Sequence, residues 1–140
     1  MKHIKIYAAI LFIGSIMAGC KKYPKYEHEY PLPERRIQYS IYTDQDFSEN
    51  NRNITFRLVL RKHNQYGTIV TLWDSSFAAM KLNQVPTKEN KIVVEKIVPG
   101  NDPSELSIGV IYYLEDVGYS WLFDTCSAGV NFKNLDFNYR

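Results

Sequence analysis

Apolar side chains alternate with polar ones along several short stretches, and this period of two is the feature that most restricts the fold. The clearest case is residues 54–61, where Ile, Phe, Leu and Leu alternate with Thr, Arg, Val and Arg. A second case follows residues 99–103, a Pro- and Gly-containing cluster that no helix can cross. The side chains that share one face of this second strand, and are predicted to be buried, are Leu106, Ile108, Val110, Tyr112 and Leu114.

Other segments carry the same signal, with turn-forming residues between them. Further strands are predicted at residues 36–41, 68–73, 91–98, 119–123 and 130–139. In the last of these, the apolar residues change from even to odd positions, which predicts a bulge near Asn134. Residues 74–84 allow either a short helix capped by Asp74 or an edge strand at residues 80–82, and the strand is the preferred interpretation.

Seven or eight short strands without a convincing helix predict an all-β domain at residues 36–140. An antiparallel β-sandwich is the most economical arrangement, and a small barrel is the alternative. The number of apolar residues is large enough for a core that requires neither a disulfide nor a metal.

The first nineteen residues have the anatomy of a signal peptide. Lys2 and Lys5 precede an apolar run that is shorter than the roughly 20 residues needed to span a membrane. Small residues, Ala18 and Gly19, then precede Cys20. This end resembles the lipobox of bacterial lipoproteins, although Met17 stands where Leu is usual. The resemblance implies cleavage between Gly19 and Cys20 and attachment of lipid to the Cys20 sulfur.

Residues 20–35 contain three prolines and three tyrosines and are predicted to form an extended linker. Tether and sandwich together resemble small lipoproteins of the Bacteroidota type. In that group, acidic residues after the lipidated cysteine accompany surface export, and here Lys21 and Lys22 follow instead. The resemblance therefore implies an envelope protein anchored in the outer membrane, on its periplasmic face.

Charge argues against a nucleic-acid partner. The chain has 17 basic and 15 acidic side chains, and signal removal takes away two lysines and no acid, so the mature side chains balance. No stretch clusters Lys and Arg as a nucleic-acid-binding surface does.

The sequence offers little for catalysis or for a cofactor. Cys126 lies in an apolar stretch and is predicted to be a buried free thiol, because Cys20 is assigned to the lipid. His63 is predicted to lie in a solvated turn, and no Cys or His pair has zinc-ligand spacing. Asp44 and Asp46 resemble the start of a calcium loop, but Glu49 and Thr55 stand where such a loop needs Gly and Glu. We therefore expect no metal, no cofactor and no catalytic residue.

The expected function is that of a non-catalytic binding or structural module, and three alternatives follow from the sequence. The first, and the preferred one, is a protein partner that meets a sheet edge at Phe77, Met80 and Leu82. The second is a glycan on an aromatic platform. The core is the favoured position for both tryptophans, and Trp73 is the better candidate for exposure. The third, and weakest, is a hydrolase assembled from Asp44, Asp46, His63 and Asp102.

Lipid attachment at Cys20 is directly testable. Mass spectrometry of the mature N-terminus should find a chain that begins at a diacylglycerol-modified Cys20, and a Cys20→Ala variant should leave the membrane fraction, because two or three acyl chains give stable anchoring. An unmodified Cys20, or a chain that still begins at Met1, would contradict the assignment.

Overall fold

The computed structural model describes residues 33–63, 67–99 and 104–140, and these residues form two β-sheets. The strands are β1 (Arg35–Thr43), β2 (Asn53–His63), β3 (Ile69–Ser76), β4 (Met80–Lys81), β5 (Ile92–Val98), β6 (Leu106–Leu114), β7 (Gly118–Cys126) and β8 (Phe132–Tyr139). One sheet has the order β5, β1, β8; the other has the order β3, β2, β6, β7, with β4 also paired to β2. The predicted all-β sandwich of about eight strands is confirmed.

The helical segments of the described residues are two short 3-10 turns, Leu82–Gln84 and Lys88–Asn90. Within the same residues, no helix has the length and apolar character that crossing a bilayer requires.

One strand pair departs from the expected antiparallel arrangement. β1 and β8 run parallel, with Arg36 opposite Phe132 and Thr43 opposite Tyr139. Parallel neighbours need a long connection, and here almost the whole domain lies between them in the sequence. The first and last strands therefore lie side by side, with β5 antiparallel on the other side of β1.

The core lies between the two sheets and is built from the inward-facing positions of each strand. The prediction for β6 is confirmed at four positions: Leu106, Ile108, Val110 and Leu114 are buried. The fifth residue of that set, Tyr112, is partly buried and packs against the core. The side chain of Tyr39 crosses from one sheet to the other, and its hydroxyl donates a hydrogen bond of 2.9 Å to the carbonyl oxygen of Val59.

The bulge predicted near Asn134 is absent, because β8 pairs with β1 in an unbroken register from Phe132 to Tyr139. The apolar residues change from even to odd positions because they lie on different faces of the sheet. Leu135, Phe137 and Tyr139 face the core, whereas Phe132 is 53% exposed on the outer face. A register shift occurs instead between β2 and β3, at Leu60 and Arg61.

Arg35 joins three segments at the edge of the core. Its side chain is buried, and Nη1 donates a hydrogen bond of 2.6 Å to the carbonyl oxygen of Ser104. Nη2 donates to the carbonyl oxygens of Cys126, at 2.9 Å, and Ser127, at 3.1 Å. The same nitrogen lies 3.3 Å from the sulfur of Cys126, which is a buried free thiol, as predicted. The start of β1 is thereby fastened to the end of β7.

These contacts predict that replacing Arg35 destabilises the fold much more than replacing the neighbouring Arg36. Replacing Arg35 by Met should lower the free energy of unfolding by roughly 2–3 kcal/mol, because buried carbonyl oxygens lose their donors. Arg36 is exposed, and Arg36→Met should change stability by no more than about 0.5 kcal/mol. Urea unfolding of both variants measures the difference, and equal midpoints would show that the contacts of Arg35 do not stabilise the fold.

Candidate functional site

The outer face of the five-stranded sheet carries a group of aromatic side chains. Because residues directly opposite in antiparallel strands point to the same side, the inward positions of β6 fix which residues of β7 point outward. Tyr113 lies opposite Tyr119, Ile111 opposite Trp121, and Gly109 opposite Phe123. We call Tyr113, Tyr119, Trp121 and Phe123 the aromatic face.

Three members of the aromatic face are open to solvent. Trp121 is 66% exposed, Tyr119 is 74% exposed and Tyr113 is 41% exposed. The rings of Tyr113 and Tyr119 contact each other across the strands, with centroids 4.9 Å apart and planes inclined by 49°. Burial among the described residues thus does not explain why large aromatic rings occupy these positions.

The fourth member, Phe123, lies over the backbone of β6, and a glycine makes this possible. A Cβ atom at Gly109 would overlap the ring of Phe123. The guanidinium carbon of Arg61, on β2, lies 4.9 Å from the centroid of the same ring. Phe123 is therefore held between the glycine and a cation, an arrangement that favours a fixed ring position.

Polar groups border the aromatic face on the side of β2 and β3. A cleft of about 300 Å³ is lined by Thr55, Arg57, Ser76, Ile111, Tyr112, Tyr113 and Tyr119. Arg57 forms an ion pair with Asp74 at this border. Aromatic rings, hydroxyl groups and paired charges are thus accessible together on one surface.

β7 is an edge strand, and one ion pair ties it to the other sheet. Asp124 forms this ion pair with Lys133 on β8, and its Oδ2 atom lies 2.6 Å from the Nζ atom of the lysine. The hydrogen bond from Lys133 lowers the pKa of the Asp124 carboxyl group, so this group is ionised at neutral pH. The strand that carries Tyr119, Trp121 and Phe123 is thereby supported from its inner side.

The structure reverses the predicted order of exposure of the two tryptophans. The core position predicted for Trp121 is wrong, because this residue is exposed, whereas Trp73, the better candidate for exposure, is half-buried and packs against the core. The Trp73 ring lies 5.9 Å from that of Tyr39, and the ammonium nitrogen of Lys96 lies 5.7 Å from its centroid. The reason is register: Trp73 pairs with buried Leu60, and Trp121 pairs with outward-facing Ile111.

The sequence contained a signal for this register that the pattern of hydrophobicity obscured. Gly118 closes the turn between β6 and β7 with a φ of 108°, and Leu114 pairs with it. If even-numbered residues of β6 point inward, a turn of this length also sends the even-numbered residues of β7 inward. Tyr119, Trp121 and Phe123 must then face solvent, despite being the most hydrophobic alternating set.

The segment proposed as a partner-binding edge is largely occupied by the domain itself. Leu82 is only 2% exposed and belongs to the core, so its side chain is unavailable to a partner. Phe77 and Met80 are half-buried against the core. The backbone of Phe77 donates a 2.9 Å hydrogen bond to Phe56, and Met80 pairs with Ile54.

Three of the four residues predicted for a hydrolase are among the described residues, and the structure does not bring these three together. Asp44 and Asp46 lie in the loop before β2, and His63 is the last residue of this strand. The 11 residues of β2 separate its ends by roughly 30 Å. Asp102, the fourth residue, lies outside the described residues. Gly19 and Cys20, the predicted cleavage and lipidation residues, also lie outside them.

The acidic loop uses its carboxylates in local hydrogen bonds. A hydrogen bond from Asn138 lowers the pKa of Asp44, and the backbone amide of Ser48 lowers that of Asp46. Across residues 33–63, 67–99 and 104–140, no group of three or more His, Cys, Asp or Glu side chains could hold a metal ion.

Comparison with known proteins gives no match for this chain among protein-family models, curated proteins or solved structures.

The positions of the two tryptophans predict unequal effects of their replacement on stability. Trp73→Ala should lower the free energy of unfolding by about 2 kcal/mol or more, because it removes a ring packed against Tyr39 and the core. Trp121→Ala should change it by no more than about 0.5 kcal/mol. Chemical denaturation followed by circular dichroism tests both, and a large loss for Trp121→Ala would place that ring in the core.

Proposed function

We propose that this chain is a lipid-anchored envelope protein whose β-sandwich is a non-catalytic module that binds carbohydrate on the aromatic face. The single observation that carries the proposal is the exposed row of rings on β7, with Trp121 at its centre. Large exposed apolar groups on a folded domain mark interaction sites, because they contribute little to the stability of that domain.

The chemistry of the surface fits a sugar ring. One face of a pyranose carries mainly C–H groups and stacks on a flat aromatic ring, while its hydroxyl groups require donors and acceptors at the edge. Trp121 offers the flat ring, since most of its surface is accessible. Arg57, Asp74 and Ser76 offer donors and acceptors at the border. The combination of a stacking surface with adjacent polar groups is what orients a ligand.

The anchoring part of the proposal rests on the N-terminal sequence. The small residues before Cys20 support lipid attachment, and Lys21 and Lys22 support the periplasmic face of the outer membrane through resemblance to lipoproteins. A module held there would meet cell-wall and imported polysaccharides. The proposal includes neither a cofactor nor a nucleic-acid partner.

A protein partner is the second candidate function, and one observation favours it. β3 is an edge strand, and Ile69, Val70 and Leu72 on it are exposed. A partner strand could pair with this edge. Carbohydrate binding is favoured over this function because the edge lacks the regular row of rings of β7, and because Leu82, one of the residues predicted to meet a partner, is buried.

The test is binding to a panel of soluble polysaccharides by the full-length chain with Cys20→Ala. Trp121→Ala should weaken binding about tenfold or more, because the principal stacking surface is removed. Phe132→Ala is the matched control, since it removes an aromatic ring that is 53% exposed on the other sheet.

Loss of binding in Phe132→Ala but not in Trp121→Ala would place the ligand on the three-stranded sheet and contradict the proposed site. Binding of no polysaccharide at all, together with capture of a strand peptide that Leu72→Lys abolishes, would favour the protein partner instead.

A further inference from the structure

Arg61 has an arrangement that distinguishes it from the other charged groups of the outer face. It is half-buried, and its guanidinium group stacks on Phe123. Stacking on a ring occupies the flat side of a guanidinium group and leaves the N–H groups at its edge available to an acceptor. This is the orientation in which arginine binds a carboxylate with two parallel hydrogen bonds.

No carboxylate of the described residues occupies that position. The ion pairs among them are Arg57 with Asp74, Lys133 with Asp124, and Arg140 with Asp44. The side chains that share a row with Arg61 across the sheet are Thr71, Ser107 and Thr125, all of them neutral hydroxyl groups. With Arg57 neutralised by Asp74, Arg61 is left as a positive charge beside Phe123 that has no carboxylate partner among the described residues.

The position of Arg61 relative to Trp121 fits successive units of a polysaccharide. Trp121 and Phe123 are two residues apart on β7, a distance of about 7 Å along the strand. Arg61 covers Phe123, so a sugar stacked on Trp121 would place a neighbouring unit close to the guanidinium group. A carboxylate on that neighbour would meet Arg61, and its hydroxyl groups would meet Ser107 and Thr125.

We propose that the aromatic face selects acidic polysaccharides, and that Arg61 binds the carboxylate of a uronic acid unit. This inference rests on the proposed carbohydrate-binding function and names its ligand class. Trp121 supplies stacking for either kind of sugar, whereas Arg61 supplies the preference for the acid.

The experiment compares polymers with the same sugar backbone and with or without charge: polygalacturonate and alginate, each against its methyl ester, with the full-length Cys20→Ala chain. The acid should bind more tightly than the ester by up to about fivefold, the range of a solvent-accessible ion pair. The preference should shrink when salt is raised from low to high concentration. Arg61→Gln should remove the preference while ester binding remains, and Arg61→Lys should restore part of it.

Two control variants separate this inference from the function on which it rests. Arg36→Gln removes an exposed charge from the outer face of the other sheet and should leave the preference intact. Trp121→Ala should weaken acid and ester alike. Thermal unfolding of each variant verifies that the fold is retained.

Equal binding of acid and ester, failure to bind any acidic polymer, or an equal effect of Arg36→Gln and Arg61→Gln would overturn the inference. Binding of a single-stranded oligonucleotide as tightly as polyuronate, with the same dependence on Arg61, would also overturn it, since the site would then accept any polyanion. Binding of neutral polysaccharide that depends on Trp121 would leave the proposed function standing in each case. If Trp121→Ala does not weaken the binding of either polymer in any pair, the proposed function fails as well.

Discussion

The apolar contact between the two sheets is the interaction on which the rest of the structure depends, and Tyr39 lies at its centre. Its ring is fully buried, contacts Trp73 and reaches the opposite sheet with a hydroxyl group that donates to Val59. Burial raises the pKa of this hydroxyl group, so it stays protonated and remains a donor. Each buried aliphatic or aromatic side chain adds roughly 1.5–3 kcal/mol, and within the described residues Cys126 is a free thiol. Packing, rather than covalent cross-linking, holds this sandwich together.

Because the two inner faces supply the packing, the outer face of the five-stranded sheet can carry other kinds of side chain. β2 and β6 are central strands, and each buries one face against the other sheet. Most of their outward positions are therefore free from the demands of packing. Val59 and Gly109 are exceptions, since Val59 is buried and the missing side chain of Gly109 lets Phe123 lie on the sheet within reach of Arg61. The position of the Phe123 ring on the aromatic face is thus set by contacts among outer-face residues.

The sequence predicted the strands well because alternation and turn residues are local signals. It predicted the buried set of β6 and the burial of Cys126 for the same reason. The parallel pairing of β1 with β8 was missed, since residues far apart in sequence decide it. The position of Trp121 was predicted wrongly because hydrophobicity was taken as evidence of burial, although an edge strand can carry its largest apolar side chains outward. The aromatic face therefore became visible only when the register of β7 against β6 was known.

The central place of β1 in its sheet has a mechanical consequence. A chain fixed by its N-terminal end is loaded at Arg35, where the first strand begins. β1 is paired along seven residues with β5 and along eight with β8, on opposite sides. Tension along the strand would act on both ladders in shear, so that many hydrogen bonds must break together rather than one after another. In the lipid-anchored form that we propose, the strand that takes the load is thus paired on both sides, and the opposite sheet could hold a ligand under drag without β1 being separated from the domain one hydrogen bond at a time.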